Sequence, residues 1–291
     1  MLTNDKIAVF TDSACDIAPA TLQEWGVNYE SLTFRFSDSE VEYTNHSMPT
    51  KDFYQKMRDG GVAKTAAANT EQFATAFEGA LKEGKDVLYL GFSSGLSTTY
   101  NSARIAAEEL REKYPERKIF TIDTLCASAG EGLLLYLTLL EIKNGATIEQ
   151  AADFAKSNKL NLCHWFTVDD LVYLKRGGRV SAATALVGNL LGIKPVLHVD
   201  NEGHLVNVTK ARGRRNAIAA MAAKYKETAL RPAGGHVFIS HGDCEADAKL
   251  LADMLREQNG VEVEIITDVG PVIGAHSGPG TLALFFLGSE R

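Results

Sequence analysis

The stretch Val87-Leu88-Tyr89-Leu90-Gly91-Phe92-Ser93-Ser94-Gly95 decides how the first half of this chain is read. Val87 to Leu90 is an apolar run that reads as a strand, and Leu96 to Leu110 carries a helical pattern. Between them, Gly91 to Gly95 fits Gly-x-Ser-x-Gly literally. A strand, a tight turn holding a serine, and a helix is the setting of a hydrolase nucleophile elbow. The same geometry makes a passive anion site, because hydroxyls and backbone N–H groups at a helix start point at any negative group placed there. One reading gives an enzyme, the other a binding protein.

The pattern repeats outward from this stretch. Ile7 to Phe10 reads as a buried strand, and a helix from Pro19 to Trp25 stops at Gly26. Val27 to Phe36 reads as one strand, with Val41 to Tyr43 as a pairing neighbour. Thr50 is expected to cap a short helix ending near Gly60. Asn69 with Gln72 resembles a capping box opening a helix through Leu81. A strand at Ile119 to Ile122 and a long apolar helix from Ala127 to Asn144 follow. This alternation predicts an α/β fold with a parallel sheet.

The second half differs. Thr147 to Asn158 reads as a helix connecting two domains. Ile193 to Val199 and His204 to Val208 flank Asp200-Asn201-Glu202-Gly203 as a hairpin. Helix Arg215 to Lys226, strand His236 to Ser240, helix Glu245 to Gln258 and strand Val261 to Ile266 complete a mixed-sheet α/β domain. The expected division is residues 1–158, a parallel-sheet domain, and residues 159–291, a mixed-sheet domain.

With 291 residues and 45% hydrophobic content the chain has ample material for a core. Its formal charge of -7 argues against nucleic-acid binding, which needs a basic footprint. Cys15, Cys126, Cys163 and Cys244 are far apart and read as free thiols. Met1 to Lys6 carries acid and amide where a secretory leader is basic, and the apolar runs Leu133 to Leu140 and Leu282 to Leu287 are too short to span a bilayer. A cytoplasmic location with no integral membrane segment is expected.

Hydroxyls recur at strand ends: Thr11 and Ser13, Ser93 and Ser94, Thr124 and Ser128, with Thr65 before a helix. In an open parallel sheet, ligands sit beyond the carboxyl ends of the strands. Taken singly, such hydroxyls are helix caps; taken together, they make a hydrogen-bonding rim. His276 lies among small residues in Gly274 to Gly280, either facing a ligand or on a surface turn. Arg179 follows Gly177 and Gly178, placed to reach a carboxylate or to tie domains together. Lys210, Arg212, Arg214 and Arg215 form a basic cluster that is either a solvated face or a docking patch. Asp12 and Asp16 flank a strand end, where they either bind a cation or, the preferred reading, order the loop and cap the following helix. The seven histidines show no metal-binding spacing, so neither metal nor cofactor is expected. Ser93 and His276, with Asp243 or Asp268 as the acid, obey the chain order of a hydrolase triad, which keeps a lipid or ester hydrolase as the alternative.

At these residues the chain resembles the DegV family of bacterial fatty-acid-binding proteins. The resemblance rests on Thr11 to Asp16, Ser93 to Ala103, Ile122 to Thr124, Val168 to Val180, Leu190 to Leu197, and Gly274 to Gly280. It implies two α/β domains with a long-chain fatty acid buried between them. It further implies a carrier, not an enzyme, that presents the acyl carboxylate to a separate ATP-dependent fatty acid kinase for acyl-phosphate formation and phospholipid synthesis. Matched by position, Thr65, Ser93 or Ser94, and His276 would hold the carboxylate with Arg179 close by, and Arg212 would dock the kinase. One departure stands out: the family's Thr-Ser-Gln-Pro-Ser loop here reads Thr65-Ala66-Ala67-Ala68-Asn69. Leu133 to Leu140 is a candidate tunnel wall, or ordinary core.

Overall fold

A computed structural model describes residues 1–180 and 192–291. Strands β1 (Ile7–Asp12), β2 (Val27–Glu30), β6 (Asp86–Gly91) and β7 (Ile119–Asp123) form a parallel sheet in the order β2-β1-β6-β7. β8 (Leu162–Thr167), β9 (Ile193–Val199), β10 (Leu205–Arg212), β11 (Val237–His241), β12 (Ile265–Asp268) and β13 (Leu282–Leu287) form a mixed sheet in the order β10-β9-β8-β13-β11-β12. The parallel and mixed sheets expected from the sequence are both present. A third, antiparallel sheet joins β3 (Thr33–Phe36), β4 (Glu42–Thr44) and β5 (Ala63–Ala66).

That third sheet corrects the single strand expected over Val27 to Phe36. The chain breaks at Ser31-Leu32, where the Leu32 N–H donates to Ser13 Oγ at 3.0 Å. β2 stays on the edge of the parallel sheet, while β3 leaves it to pair with β4 and β5. β5, β8 and β13 have no counterpart in the sequence reading, and Leu190 and Leu191 of the quoted motifs lie outside the described residues.

Ten helices complete the described part. α1 (Pro19–Trp25) ends at Gly26, as expected. α2 (Thr50–Arg58) has Pro49, not Thr50, at its N-cap. Thr50 instead donates to Asp268 Oδ2 at 2.5 Å. Beside it, Tyr54 donates to the Val269 carbonyl at 2.7 Å and Arg58 pairs with Asp243. α2 is thereby clasped to the loops that end β11 and β12. α3 (Thr70–Lys82) opens with the expected Asn69/Gln72 capping box, and with α4 (Thr99–Lys113) it covers one face of the parallel sheet.

The opposite face is covered by α5 (Ala129–Lys143) and α6 (Ile148–Asn158). α6 packs on α5 and the β6–β7 edge, so it belongs to the parallel-sheet layer. α5 is buried around nearly its whole circumference, as its all-round apolar sequence requires. One side faces the parallel sheet and the other faces β8, β11 and β13. Its leucines share one core with Val9, Leu90 and Ile122 of the first sheet and Phe166, Phe238 and Phe285 of the second. This corrects the tunnel-wall reading of Leu133 to Leu140, whose buried leucines are core and do not line the cavity described below.

α7 (Val172–Gly177) follows β8; α8 (Arg214–Thr228) and α9 (Glu245–Asn259) cover the outer face of the mixed sheet; and α10 (Pro271–Ser277) precedes β13. β9 and β10 form the expected hairpin. Its Asp200 carboxylate accepts from the Glu202 and His204 N–H groups at 3.0 and 2.8 Å. Because α5 ties both sheets into one core, Leu134→Ala should cost about 2–5 kcal/mol. It should lower the urea midpoint of a single transition; separate unfolding of the two halves would contradict the shared core.

Candidate functional site

The C-terminal ends of β1, β6 and β7 point toward the inner face of the mixed sheet, and a cavity of about 460 Å³ lies between them. Its wall is mainly apolar: Phe166, Leu174, Val199, Ala283 and Phe285 from the second half, and Leu96 from the first. Polar groups reach it at a few points. Thr65 Oγ1 and His276 Nε2 are 2.8 Å apart, joining β5 to α10. Ser94 and Arg179 lie on the same wall. Thr65, Ser94, Arg179 and His276 are therefore brought to one cavity.

His276 has a buried Nδ1 without a partner among the described residues. Burial, and secondarily the Arg179 guanidinium, push its pKa down to about 4, so the ring is neutral at pH 7. The imidazole sits so tightly on Gly177 that a Cβ there would collide with Nδ1. Arg179 is half-buried, and its guanidinium donates to the Leu96 carbonyl at 3.2 Å and to that of Gly177. It therefore ties the α7 loop to the start of α4 while facing the cavity.

Ser93 is placed differently from the expectation. Its side chain is fully buried, Oγ donates to the Gly203 carbonyl at 2.9 Å and accepts from the Gly95 N–H at 3.2 Å, and it is absent from the cavity wall. Gly203 turns the hairpin at φ 80, and a side chain there would strike Ser93. Ser93 thus seats the β9–β10 hairpin on the first half of the chain, and Ser94 is the serine that reaches the cavity.

The same geometry removes support for the hydrolase alternative. The partner of His276 is Thr65, and that of Ser93 is a carbonyl. Asp243 pairs with Arg58, and Asp268 accepts from Thr50. No acid–histidine–serine relay joins these residues.

Most of the other hydroxyls are spent on structure. Thr11 donates to Glu131 Oε1 at 2.8 Å, and Thr124 donates to the Gly91 carbonyl at 2.7 Å. Asp12 caps the turn after β1 through the Ala14 N–H at 3.0 Å and accepts from Tyr89 and the Phe92 N–H at 2.7 and 3.0 Å. Burial raises its pKa to about 6, and raises that of Glu131 well above the usual range. Ser128 is the exception, since it lies on the cavity wall. It donates to Asp16 Oδ2 at 2.5 Å and lies 2.9 Å from Ser240 Oγ.

Further polar groups line the wall, among them Ser97, Thr98 and Thr281. His164 is fixed by the Leu162 carbonyl at Nδ1 and the Ala127 N–H at Nε2, and burial keeps it neutral. Ser240 and Ser277 line it as well. His164 and Ser240 lie on β8 and β11, where only strand pairing reveals which face a residue takes. Arg212 lies apart from the cavity, exposed at the end of β10. Arg214 is not part of a free basic face, since it pairs with Asp247 at 2.8 Å and Asp169 at 3.7 Å.

The profile of the DegV family, a family of uncharacterised proteins, matches residues 6–289. The chain belongs to the DegV family. A DegV domain-containing protein of Clostridium perfringens is 42% identical over 287 residues, covering 98% of this chain and 99% of that one. A fatty acid-binding protein of Thermotoga maritima is 34% identical over 284 residues, covering 95% and 96%. The solved structure of a fatty-acid-binding DegV protein from Thermus thermophilus superposes with a TM-score of 0.86 at 28% identity, covering 97% and 99%. Among the described residues, no helix of this DegV chain is long and apolar enough to cross a membrane.

Two measurements test this geometry. A fluorophosphonate probe should leave Ser93 unlabelled; stoichiometric labelling would show its hydroxyl to be free and activated. The second concerns Asp16, whose pKa burial raises from 3.8 to about 7. Between those values the folded protein holds a proton that the unfolded chain has lost, so this group's contribution to stability falls as pH rises, by up to about 1.4 kcal/mol per pH unit. From pH 4 to 7, Asp16→Asn should gain urea stability relative to wild type; a difference independent of pH would contradict the shift.

Proposed function

We propose that the cavity holds a long-chain fatty acid, its carboxylate at Thr65, Ser94 and His276 with Arg179 nearby, and its tail along Phe166, Phe285 and Val199. The observation that carries this reading is one apolar cavity of suitable size with a hydroxyl–imidazole pair on its wall. A ligand pocket is typically about 300–1,000 Å³ with few polar groups. Fatty-acid binding by relatives in Thermotoga and Thermus points the same way. We place the domain boundary at residues 158/159, with the ligand between the two units.

The chemistry fits an amphiphile. Burying roughly fifteen methylenes at ~0.8 kcal/mol each yields on the order of 12 kcal/mol gross. Ordering the tail and losing rigid-body freedom offset much of it. The head group needs donors, because an unpaired buried carboxylate is very costly. With the His276 proton on Nε2, the imidazole donates to Thr65, and the Thr65 O–H is left to donate to the acid. Ser94 adds a second hydroxyl. Neutral donors satisfy the carboxylate without locking it in a tight ion pair.

We extend this to a cytoplasmic carrier role. The bound carboxylate is presented to a separate fatty acid kinase, where a carboxylate oxygen attacks the γ-phosphorus of ATP and ADP departs. The acyl phosphate then serves phospholipid synthesis. Exposed Arg212, near Lys210 and Arg215, is the docking residue in this reading.

Native mass spectrometry of freshly purified protein should show one fatty acid per chain. Thr65→Val should weaken fatty-acid binding about tenfold, the loss of one charge-assisted hydrogen bond, and His276→Ala should weaken it too by freeing the Thr65 hydroxyl to turn away from the acid. Unchanged affinity in both would overturn the head-group assignment. Arg212→Ala should slow acyl-phosphate formation by the cognate kinase while fatty-acid affinity stays as in wild type. Normal turnover would remove Arg212 from the interface.

A further inference from the structure

Polar side chains outside the carboxylate site interrupt the apolar wall of the cavity at several points, and Ser240 is one of them. Ser240 lies on β11, paired in register with Ala283 of β13, and Ala283 and Phe285 of that strand also line the cavity. Those neighbours are what a hydrocarbon tail would touch. Ser240 itself is fully buried, and its hydroxyl lies 2.9 Å from that of Ser128. Behind Ser128 stands Asp16, also buried, held by the Gly270 N–H at 3.0 Å.

The proton count along this relay is informative. Ser128 has one proton, and it goes to Asp16 when the carboxylate is ionised. Ser240 must then donate to Ser128, which leaves the Ser240 oxygen with acceptor capacity. The backbone of Ser128 is held at φ 53, ψ -148, a conformation that non-glycine residues avoid and that persists only where the surroundings enforce it. A second group is independent of the relay. Ser277 is 5% exposed, lines the same cavity, and its buried Oγ has no hydrogen-bond partner among the described residues. Buried polar atoms without partners are uncommon, so each one asks for an explanation.

We propose that Ser240, oriented by Ser128 and Asp16, together with the unpaired Ser277 hydroxyl, forms a second polar subsite in the cavity that takes a hydroxyl carried on the acyl chain. The substrate class is then a monohydroxylated long-chain fatty acid, with the plain acid as a weaker ligand. This rests on the fatty-acid reading above. A ligand O–H donates to the Ser240 oxygen, and the Ser277 O–H provides a donor in the same cavity. A plain tail leaves both hydroxyls facing methylene groups. Asp16 and Ser128 act as positioning residues, setting which way the Ser240 proton points.

The test is calorimetric titration of delipidated protein with palmitic acid and with a series of its monohydroxylated positional isomers. At least one isomer should bind about tenfold more tightly than palmitic acid, the gain from one added buried hydrogen bond. In Ser240→Ala the ratio of the two Kd values should fall to about one. Using the ratio cancels any general loosening of the cavity. Asp16→Asn, which mimics the protonated acid and reverses the relay, should change which isomer is preferred or shrink the preference, whereas a purely structural Asp16 would weaken both ligands equally.

If no isomer outbinds palmitic acid, or the preference survives both Ser240→Ala and Ser277→Ala, the subsite is overturned while the carrier reading stands. If neither palmitic acid nor any isomer binds, both readings fall together.

Discussion

The fold depends on one helix having no solvent side. α5 is apolar around its circumference, and it can be so only because a sheet lies on each side of it. Sheets on both faces of one helix produce the layered order of the molecule: α3 and α4, the parallel sheet, α5, the mixed sheet, then α8 and α9. They also fix where a cavity can form. The space beyond the N-terminal end of α5, where β1, β6 and β7 finish, is left unfilled by the core and becomes the cavity between the two halves.

Polar groups caught at that junction are cut off from water. Asp12, Asp16 and Glu131 all lie close to the start of α5, and burial raises all three pKa values. Tyr89, Thr11 and Ser128 supply hydroxyl protons to them. Two chemistries follow from the same hydroxyl-rich loops. Thr11 is spent on a carboxyl group inside the protein, Ser94 reaches the cavity, and Ser128 does both.

The alternation of strands and helices in the first half was legible because each element had its own period and punctuation. Gly26 ended α1, and Asn69 with Gln72 opened α3. The second half was less legible for physical reasons. Leu162 to Thr167 and Leu282 to Leu287 are buried on both faces, so they lack the alternation that marks a half-exposed strand. Thr65, Ser94, Arg179 and His276 were recognisable by residue type and neighbours. The exclusion of Ser93 was not, because it depends on the Gly203 turn meeting the β6–α4 loop, a contact between segments 110 residues apart. Ser240 was hidden for a related reason: a single serine within an apolar strand reads as core until its facing partner is known.

The clasp on α2 bears on which parts of the structure can separate without unfolding. Parting the two halves like a clamshell would strip α5 of one sheet. At roughly 1.5–3 kcal/mol per buried leucine, a handful of exposed leucines would equal the whole stability of a typical domain. Opening by that route amounts to unfolding. The three-stranded sheet and α2 contribute Thr65 to the wall yet share none of that central core. They are held to the mixed sheet through Thr50, Tyr54 and Arg58, with two of the three contacts open to solvent. The polar contacts at Thr50 and Arg58 are open to salt, whereas the packing of Phe53 and Tyr54 against Ala275 of α10 is apolar and buried, so the two kinds of fastening on this small sheet respond to different solvents.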